Sequence, residues 1–313
     1  MGKIKKILES VSKVIIGKNE AIFCILAAVL SGGHLLIEDV PGVGKTTLVK
    51  ALAKTMGCTF KRIQFTPDHM PSDILGVSIY DKTRGEFMFK PGPIMSQIVL
   101  ADEINRTSPK TQASLLEAME ERQITVDGVT YPLPAPFLVM ATQNPIEHEG
   151  THPLPEAQLD RFMMRITLGY PGKEEEKKIL TIVPERALLE ELTPVVRPAE
   201  LLEMQRQAAG IYMAGPLKGY IVDLAGATRR HPDLLLGISP RGSQHLYRAA
   251  KAAAFMEGRD HVLPDDIKAM APPVFTHRLI LKPEARLKEI SAGDVLQEIL
   301  HHTGVPVKPD DRN

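Results

Sequence analysis

The chain has 313 residues, enough for two domains or one large one at roughly 150 residues per domain. Apolar residues make up 43% and charged residues 24%, which argues against disordered, collagen-like and coiled-coil classes. Lys+Arg and Asp+Glu each number 38, so there is no basic excess of the kind nucleic-acid phosphates attract, and six Tyr, nine Phe and no Trp make a poor base-stacking platform.

Two cysteines, Cys24 and Cys58, cannot form a disulfide framework in a chain this long and read as reduced thiols. The longest apolar run, Ala21 to Leu30, is far shorter than the roughly 20 residues that cross a bilayer. The opening MGKIKKILES lacks the apolar stretch of a signal peptide. A cytoplasmic protein without a membrane span is expected.

In chain order, Ile4, Ile7, Leu8 and Val11 recur at helical spacing, Ile15-Ile16-Gly17 interrupts, and a second helix follows from Lys18. His34-Leu35-Leu36-Ile37 reads as a buried strand and Thr46 to Met56 as the helix after it. Further strands are expected at Phe60–Thr66, Gln97–Ala101, Phe137–Ala141 and Phe162–Leu168. Strands alternating with helices predict a parallel sheet covered on both faces. Two hairpins interrupt the alternation: Val77–Tyr80 with Glu86–Phe89, and Gln123–Val126 with Val129–Tyr131 around the turn dipeptide Asp127-Gly128. Gly169-Tyr170-Pro171-Gly172 marks the expected domain boundary. Beyond it the pattern is nearly all helical, with starts near Pro198, Pro216, Pro240 and Pro264, and a polar tail after His302 that should fray.

The strongest local signal is Pro41-Gly42-Val43-Gly44-Lys45-Thr46-Thr47, between an apolar strand and a helix. Glycines let backbone N–H groups approach phosphate oxygens, the helix N-terminus adds partial positive charge, Lys45 suits the β- and γ-phosphates, and the Thr46 hydroxyl suits Mg²⁺. The full P-loop pattern has Gly five residues before Gly44; here that residue is Asp39. The strand Ile98-Val99-Leu100-Ala101 runs into Asp102-Glu103, placing two acids at the carboxyl edge of the sheet, where open α/β sheets bind ligands. Asp102 suits Mg²⁺ coordination, and Glu103 suits activation of an attacking water.

The series GVGKTT, VLADEINR, MATQNP, LPEAQLDRF and ISPRGSQHL resembles the MoxR family of AAA+ ATPases over residues 5–295. The resemblance implies an α/β fold: a RecA-like αβα core on a five-stranded parallel sheet (1–170, with helix-2 and pre-sensor-1 hairpin insertions at 76–90 and around Asp127-Gly128), and a C-terminal all-helical lid (171–313). It implies that Pro41 to Thr47 form the Walker A loop, that Asp102 and Glu103 form Walker B, that Asn144 is sensor 1, and that Ile15, Ile16 and Gly17 pack on adenine. It makes Arg161 the arginine finger and Arg241 sensor 2. Arg161 precedes a strand on the side of the core away from its own P-loop, so it is expected to serve a neighbour; Arg106 and Arg122 rank below it. Arg241 opens a lid helix, where a cation gains nothing from the macrodipole, which favours a ligand role.

The expected cofactors are ATP and Mg²⁺, and the expected assembly is a homo-oligomer, a hexameric ring. The work implied is chaperone-like remodelling or maturation of partners, often separate von Willebrand factor A domain proteins. A slow nucleotide-dependent assembly switch is the alternative, followed by a DNA-translocating motor, for which the first hairpin turn offers Lys82 and Arg84, and a magnesium-chelatase-type motor. His34, His69, His148 and His152 lack zinc-like spacing and read as core or loop residues. Met163-Met164 and the lid methionines read as core filler.

Overall fold

The computed structural model describes residues 2–144, 150–181 and 185–306; His148 and the tail from 307 lie outside them. The chain opens with α1 (Gly2–Ser12) and α2 (Asn19–Leu30), then β1 (Leu35–Glu38), α3 (Lys45–Thr55) and β2 (Phe60–Gln64). Next come α4 (Pro71–Leu75), the hairpin β3 (Gly76–Asp81) and β4 (Glu86–Pro91), β5 (Ile98–Asp102), a 3-10 turn (Ile104–Arg106) and α5 (Pro109–Glu121). The hairpin β6 (Gln123–Val126) and β7 (Val129–Pro132), β8 (Leu138–Gln143), α6 (Glu156–Leu159) and β9 (Met164–Ile166) complete the first half.

β1, β2, β5, β8 and β9 form one parallel sheet in the order β2-β5-β8-β1-β9. Side chains alternate across a strand. Leu35 and Ile37, Ile98 and Leu100, and Leu138 and Met140 therefore enter one apolar cluster with α1, α2 and α3. Leu36, Val99, Ala101, Val139 and Ala141 enter the opposite cluster with α5. This is the expected three-layer αβα arrangement. The second hairpin turns through Asp127 (φ 50°) and Gly128 (φ 78°), the paired positive φ of a tight hairpin turn. Phe89 of the first hairpin stacks on Tyr131 of the second at 4.1 Å, joining the two insertions.

The second half runs through α7 (Lys173–Thr181), α8 (Glu185–Glu191), α9 (Pro198–Gly210), α10 (Gly215–Arg230), β10 (Leu234–Leu236), α11 (Pro240–Met256), α12 (Pro264–Phe275), a 3-10 turn (Thr276–Arg278), β11 (Ile280–Leu281), α13 (Pro283–Leu287) and α14 (Ala292–His302). Prolines open α9, α11 and α12 because the first helical turn needs no N–H there. The helical pattern hides one antiparallel pair, Leu234↔Leu281 with Leu236↔Ile280. Both segments are too short to show a period. α8 packs on α3, and α9 packs on α2 and α11. The larger apolar cluster is continuous from α1 through the sheet to α14. Met163, Met164, Met213 and Met270 are buried in it, as expected of filler. Cys24 and Cys58 are free thiols, and burial pushes both up to about 11, which keeps them protonated.

Candidate active site

A parallel sheet has two chemically distinct edges. At the carboxyl edge β1 leads into the Gly-rich loop, β5 into Asp102-Glu103 and β8 into Asn144. Gly42 and Gly44 both have φ 85°, a conformation that strains any other residue by about 1–2 kcal/mol. A Cβ at either would meet nothing within 4 Å, so the loop presents an open cradle. Gly44 caps α3, whose first N–H groups face that space. Lys45 Nζ donates to the Asp39 carbonyl at 2.8 Å.

Asp39 itself is buried. Its carboxylate accepts from the N–H groups of Leu168 (2.5 Å), Gly169 (2.8 Å) and Val40 (2.9 Å). The residue that breaks the P-loop pattern thus ties the loop to the segment leaving β9. Nearby, Lys18 donates to the Tyr170 carbonyl at 2.9 Å, and the Glu175 carboxylate packs on Gly17, where a Cβ would lie 2.0 Å from its carboxyl carbon. Ile15 is buried and Ile16 half-buried. The Ile15-Ile16-Gly17 segment and the start of α7 therefore adjoin, with Asp39 joining the P-loop to the same stretch.

Asp102 and Glu103 each have cationic or amide partners. Arg62 Nη2 lies 2.6 Å from Asp102 Oδ2, and Thr142 Oγ1 donates to Asp102 Oδ1 at 2.5 Å. Glu103 adopts φ 57°, and its N–H donates to Thr142 Oγ1 at 2.9 Å. Its carboxylate accepts from Gln64 Nε2 (2.7 Å) and Arg106 Nη1 (3.1 Å). Left-handed backbone at a non-glycine residue is a strain that concentrates at active sites. Asn144 is buried one residue beyond β8, the strand that pairs with β5. Asp102 and the Thr46 hydroxyl are hard oxygen donors. With the open cradle they fit Mg²⁺, which takes one or two carboxylates and keeps its other positions for water and phosphate.

The amino edge carries a second group. Arg161 Nε lies 3.3 Å from Glu120 Oε2, and Arg241 Nη2 contacts Glu120 Oε1. Arg161 precedes β9 as His34 precedes β1, so both arginines lie at the sheet edge opposite Lys45. Arg122 is at this edge too, donating to the Gly32 carbonyl at 2.8 Å, whereas Arg106 belongs to the carboxyl edge.

His34 is a core residue: Nδ1 accepts from the Val139 N–H at 2.9 Å, Nε2 faces the Met119 carbonyl at 3.0 Å, and burial lowers its pKa to about 4. His69 accepts from the Thr66 N–H at 3.2 Å, and the His152 N–H donates to the Asn105 carbonyl at 2.6 Å.

Residues 34–164 match the ATPase family associated with various cellular activities (AAA), and residues 226–299 match the AAA lid domain. Chaperone MoxR1 of Mycobacterium tuberculosis is 42% identical over 97% of this chain and 82% of its own length. The chain belongs to the MoxR family of AAA+ ATPases. Another relative is YeaC of Bacillus subtilis, an uncharacterised protein, 52% identical over 97% of this chain and 95% of its own. A solved structure from Cytophaga hutchinsonii, provisionally described as an ATPase, superposes with TM-score 0.91 at 43% identity over 97% of this chain and 95% of that one. Membership in the MoxR family implies nucleotide binding and a chaperone-like role.

Several site residues are absent from the sequence motifs. Arg62 and Gln64 leave a trace, because they alternate on β2, which pairs with β5. Glu120 lies in the last turn of α5, where an acid opposes the macrodipole, but nothing in the sequence ties it to the two arginines. Arg278 is buried on the lid yet reaches Asp160 (2.7 Å), the Phe162 carbonyl (2.5 Å) and His245 Nδ1 (2.6 Å). Burial and the Arg278 charge push His245 down to about 2, so it stays neutral and accepts.

Among the described residues no helix is long and apolar enough to cross a membrane.

Proposed function

We propose that this MoxR-family chain hydrolyses Mg²⁺-ATP as a ring of copies, each nucleotide lying between the Gly-rich edge of one copy and the arginine edge of the next. The opposite-edge separation of Lys45 from Arg161 and Arg241 carries this reading. Residues 1–170 serve as nucleotide-binding core and 171–313 as lid, divided where Gly169 leaves Asp39.

Backbone N–H groups of Gly42 to Thr46 and the α3 N-terminus bind the phosphates, and Lys45 turns from the Asp39 carbonyl to them. Ile15, Ile16 and Gly17 flank the base. Thr46 and Asp102 would hold Mg²⁺, which would supply positive charge against the phosphates. Asn144 orients the attacking water, and Glu103, leaving Gln64 and Arg106, takes its proton. Arg161 and Arg241 of the adjacent copy stabilise charge on the γ-phosphate.

The work done is chaperone-like remodelling of a separate protein, with a von Willebrand factor A domain protein as the expected partner, a hexamer as the expected ring and the cytoplasm as its place. A slow assembly switch is the second reading, favoured by the ready-made partners of Asp102 and Glu103. Single-turnover rates with and without partner separate the two.

Mixing Lys45→Ala and Arg161→Ala chains, each inactive alone, tests the shared site. Recovery of ATPase activity is expected, because a wild-type Lys45 edge can meet a wild-type Arg161 edge. A mixture as inactive as its parts removes the reading.

A further inference from the structure

The end of α5, the α2–β1 turn and one face of α11 line an open cavity of about 230 Å³. At about 30 Å³ per water it has room for several waters or a phosphate group. Four arginines line it, Arg122, Arg161, Arg241 and Arg248, against one carboxylate, Glu120. Arg241 and Arg248 are two helical turns apart and so share a face of α11.

Glu120 serves Arg161 and Arg241 together. Among the described residues, Arg122 has only the Gly32 carbonyl, and no acceptor pairs with the Arg248 guanidinium. Burial, then the Arg122 charge, lowers the Arg248 pKa, so the two guanidiniums feel each other. His34 and His245 line the cavity but are neutral, and add no charge to offset or extend this excess. Four guanidiniums around one carboxylate form a site short of negative charge. Planar bidentate donors of this kind match phosphate geometry.

We propose that this cavity is a phosphate-binding site in which the Glu120 carboxylate is a resident stand-in, displaced when a phosphate group enters, and in which Arg122 and Arg248 complete a cradle begun by Arg161 and Arg241. The inference deepens the ring reading, and rests on it only for the phosphate's source: the nucleotide held by an adjacent copy. The stand-in keeps Arg161 and Arg241 aimed inward without nucleotide, and competes with the phosphate that replaces it.

Two measurements test this. In the first, dilute chain carrying Lys45→Ala, which weakens its own Gly-rich loop, is titrated with tripolyphosphate by calorimetry. Adding Glu120→Gln should tighten binding by about three- to tenfold, the scale of a half-exposed ion pair removed. Adding Arg248→Gln should weaken it by about tenfold, the scale of one charge-assisted contact. Three equal affinities, no binding, or weaker binding with Glu120→Gln overturns the proposal.

In the second, ATPase activity per chain is followed against protein concentration with Lys45 intact. Glu120→Gln should lower, and Arg248→Gln raise, the concentration giving half-maximal activity. If the first measurement succeeds and wild-type activity per chain is flat, the cavity binds free phosphate and the ring reading fails alone. If wild-type activity rises with concentration and collapses in Arg161→Ala, while Glu120→Gln and Arg248→Gln match wild type in both measurements, the ring reading stands and this inference falls.

Discussion

Arg278 donates from Nε to Asp160 Oδ1 at 2.7 Å, across 118 residues of chain. The same carboxylate accepts from Ser239 Oγ at 2.9 Å, and Ser239 caps the helix that begins at Pro240. One buried guanidinium thus sets the position of both Arg161, next after Asp160, and Arg241, in the first turn of α11. It also explains how lid and core hold one geometry at the amino edge.

Breaking one partner of a buried ion pair costs about 3–5 kcal/mol, because the other charge is left unpaired. Arg278→Met should lower stability on that scale in urea unfolding. Arg278→Lys should rescue little, since a single ammonium cannot reach Asp160, the Phe162 carbonyl and His245 together. A wild-type midpoint for the lysine variant would refute the hub role.

Glu103→Gln should abolish multiple-turnover hydrolysis while nucleotide binding persists, whereas Lys45→Ala should weaken binding itself. Fluorescent-nucleotide titration beside phosphate release separates the two. Unchanged hydrolysis in Glu103→Gln would assign the water-activating role elsewhere.

Arg62 holds the Asp102 oxygen at 2.6 Å and is itself 45% exposed, so its contribution to stability is small. Arg62→Gln should leave the unfolding midpoint nearly unchanged and reduce the Mg²⁺ concentration needed for tight ADP binding by a few-fold, on the order of one exposed ion pair. A Mg²⁺ dependence identical to wild type would show that Arg62 does not compete with the metal.

His34 is buried and neutral, with burial holding its pKa at about 4, against an ordinary value of about 6.5 for an exposed imidazole. Between those values the unfolded chain binds more protons than the folded one, so stability rises with pH across the window and falls as pH drops from about 6.5 toward 4. The largest effect from this residue is about 3 kcal/mol. Urea midpoints at several pH values, compared with His34→Gln, should show a shallower slope in the variant; equal slopes would place the dependence on other groups, His245 first.

The strands of the sheet, both hairpins and the Gly-rich loop are legible before folding, because each is written in local signals: apolar runs of strand length, an Asp-Gly turn, and glycines where φ is positive. The sequence also shows that Asp102 and Glu103 end a buried strand, since Ile98 to Ala101 are apolar without a break. The lid's strand pair stayed hidden because two or three residues carry no period. Three contacts emerge only when the chain is folded: Asp39 with the segment after β9, Glu120 with both Arg161 and Arg241, and Arg278 with the Asp160 carboxylate that sits before Arg161. Those contacts link residues far apart in the chain, and a charged side chain's partner depends on which elements meet. The parallel order of the sheet makes that choice, sending the Gly-rich loop to one edge and the arginines to the other.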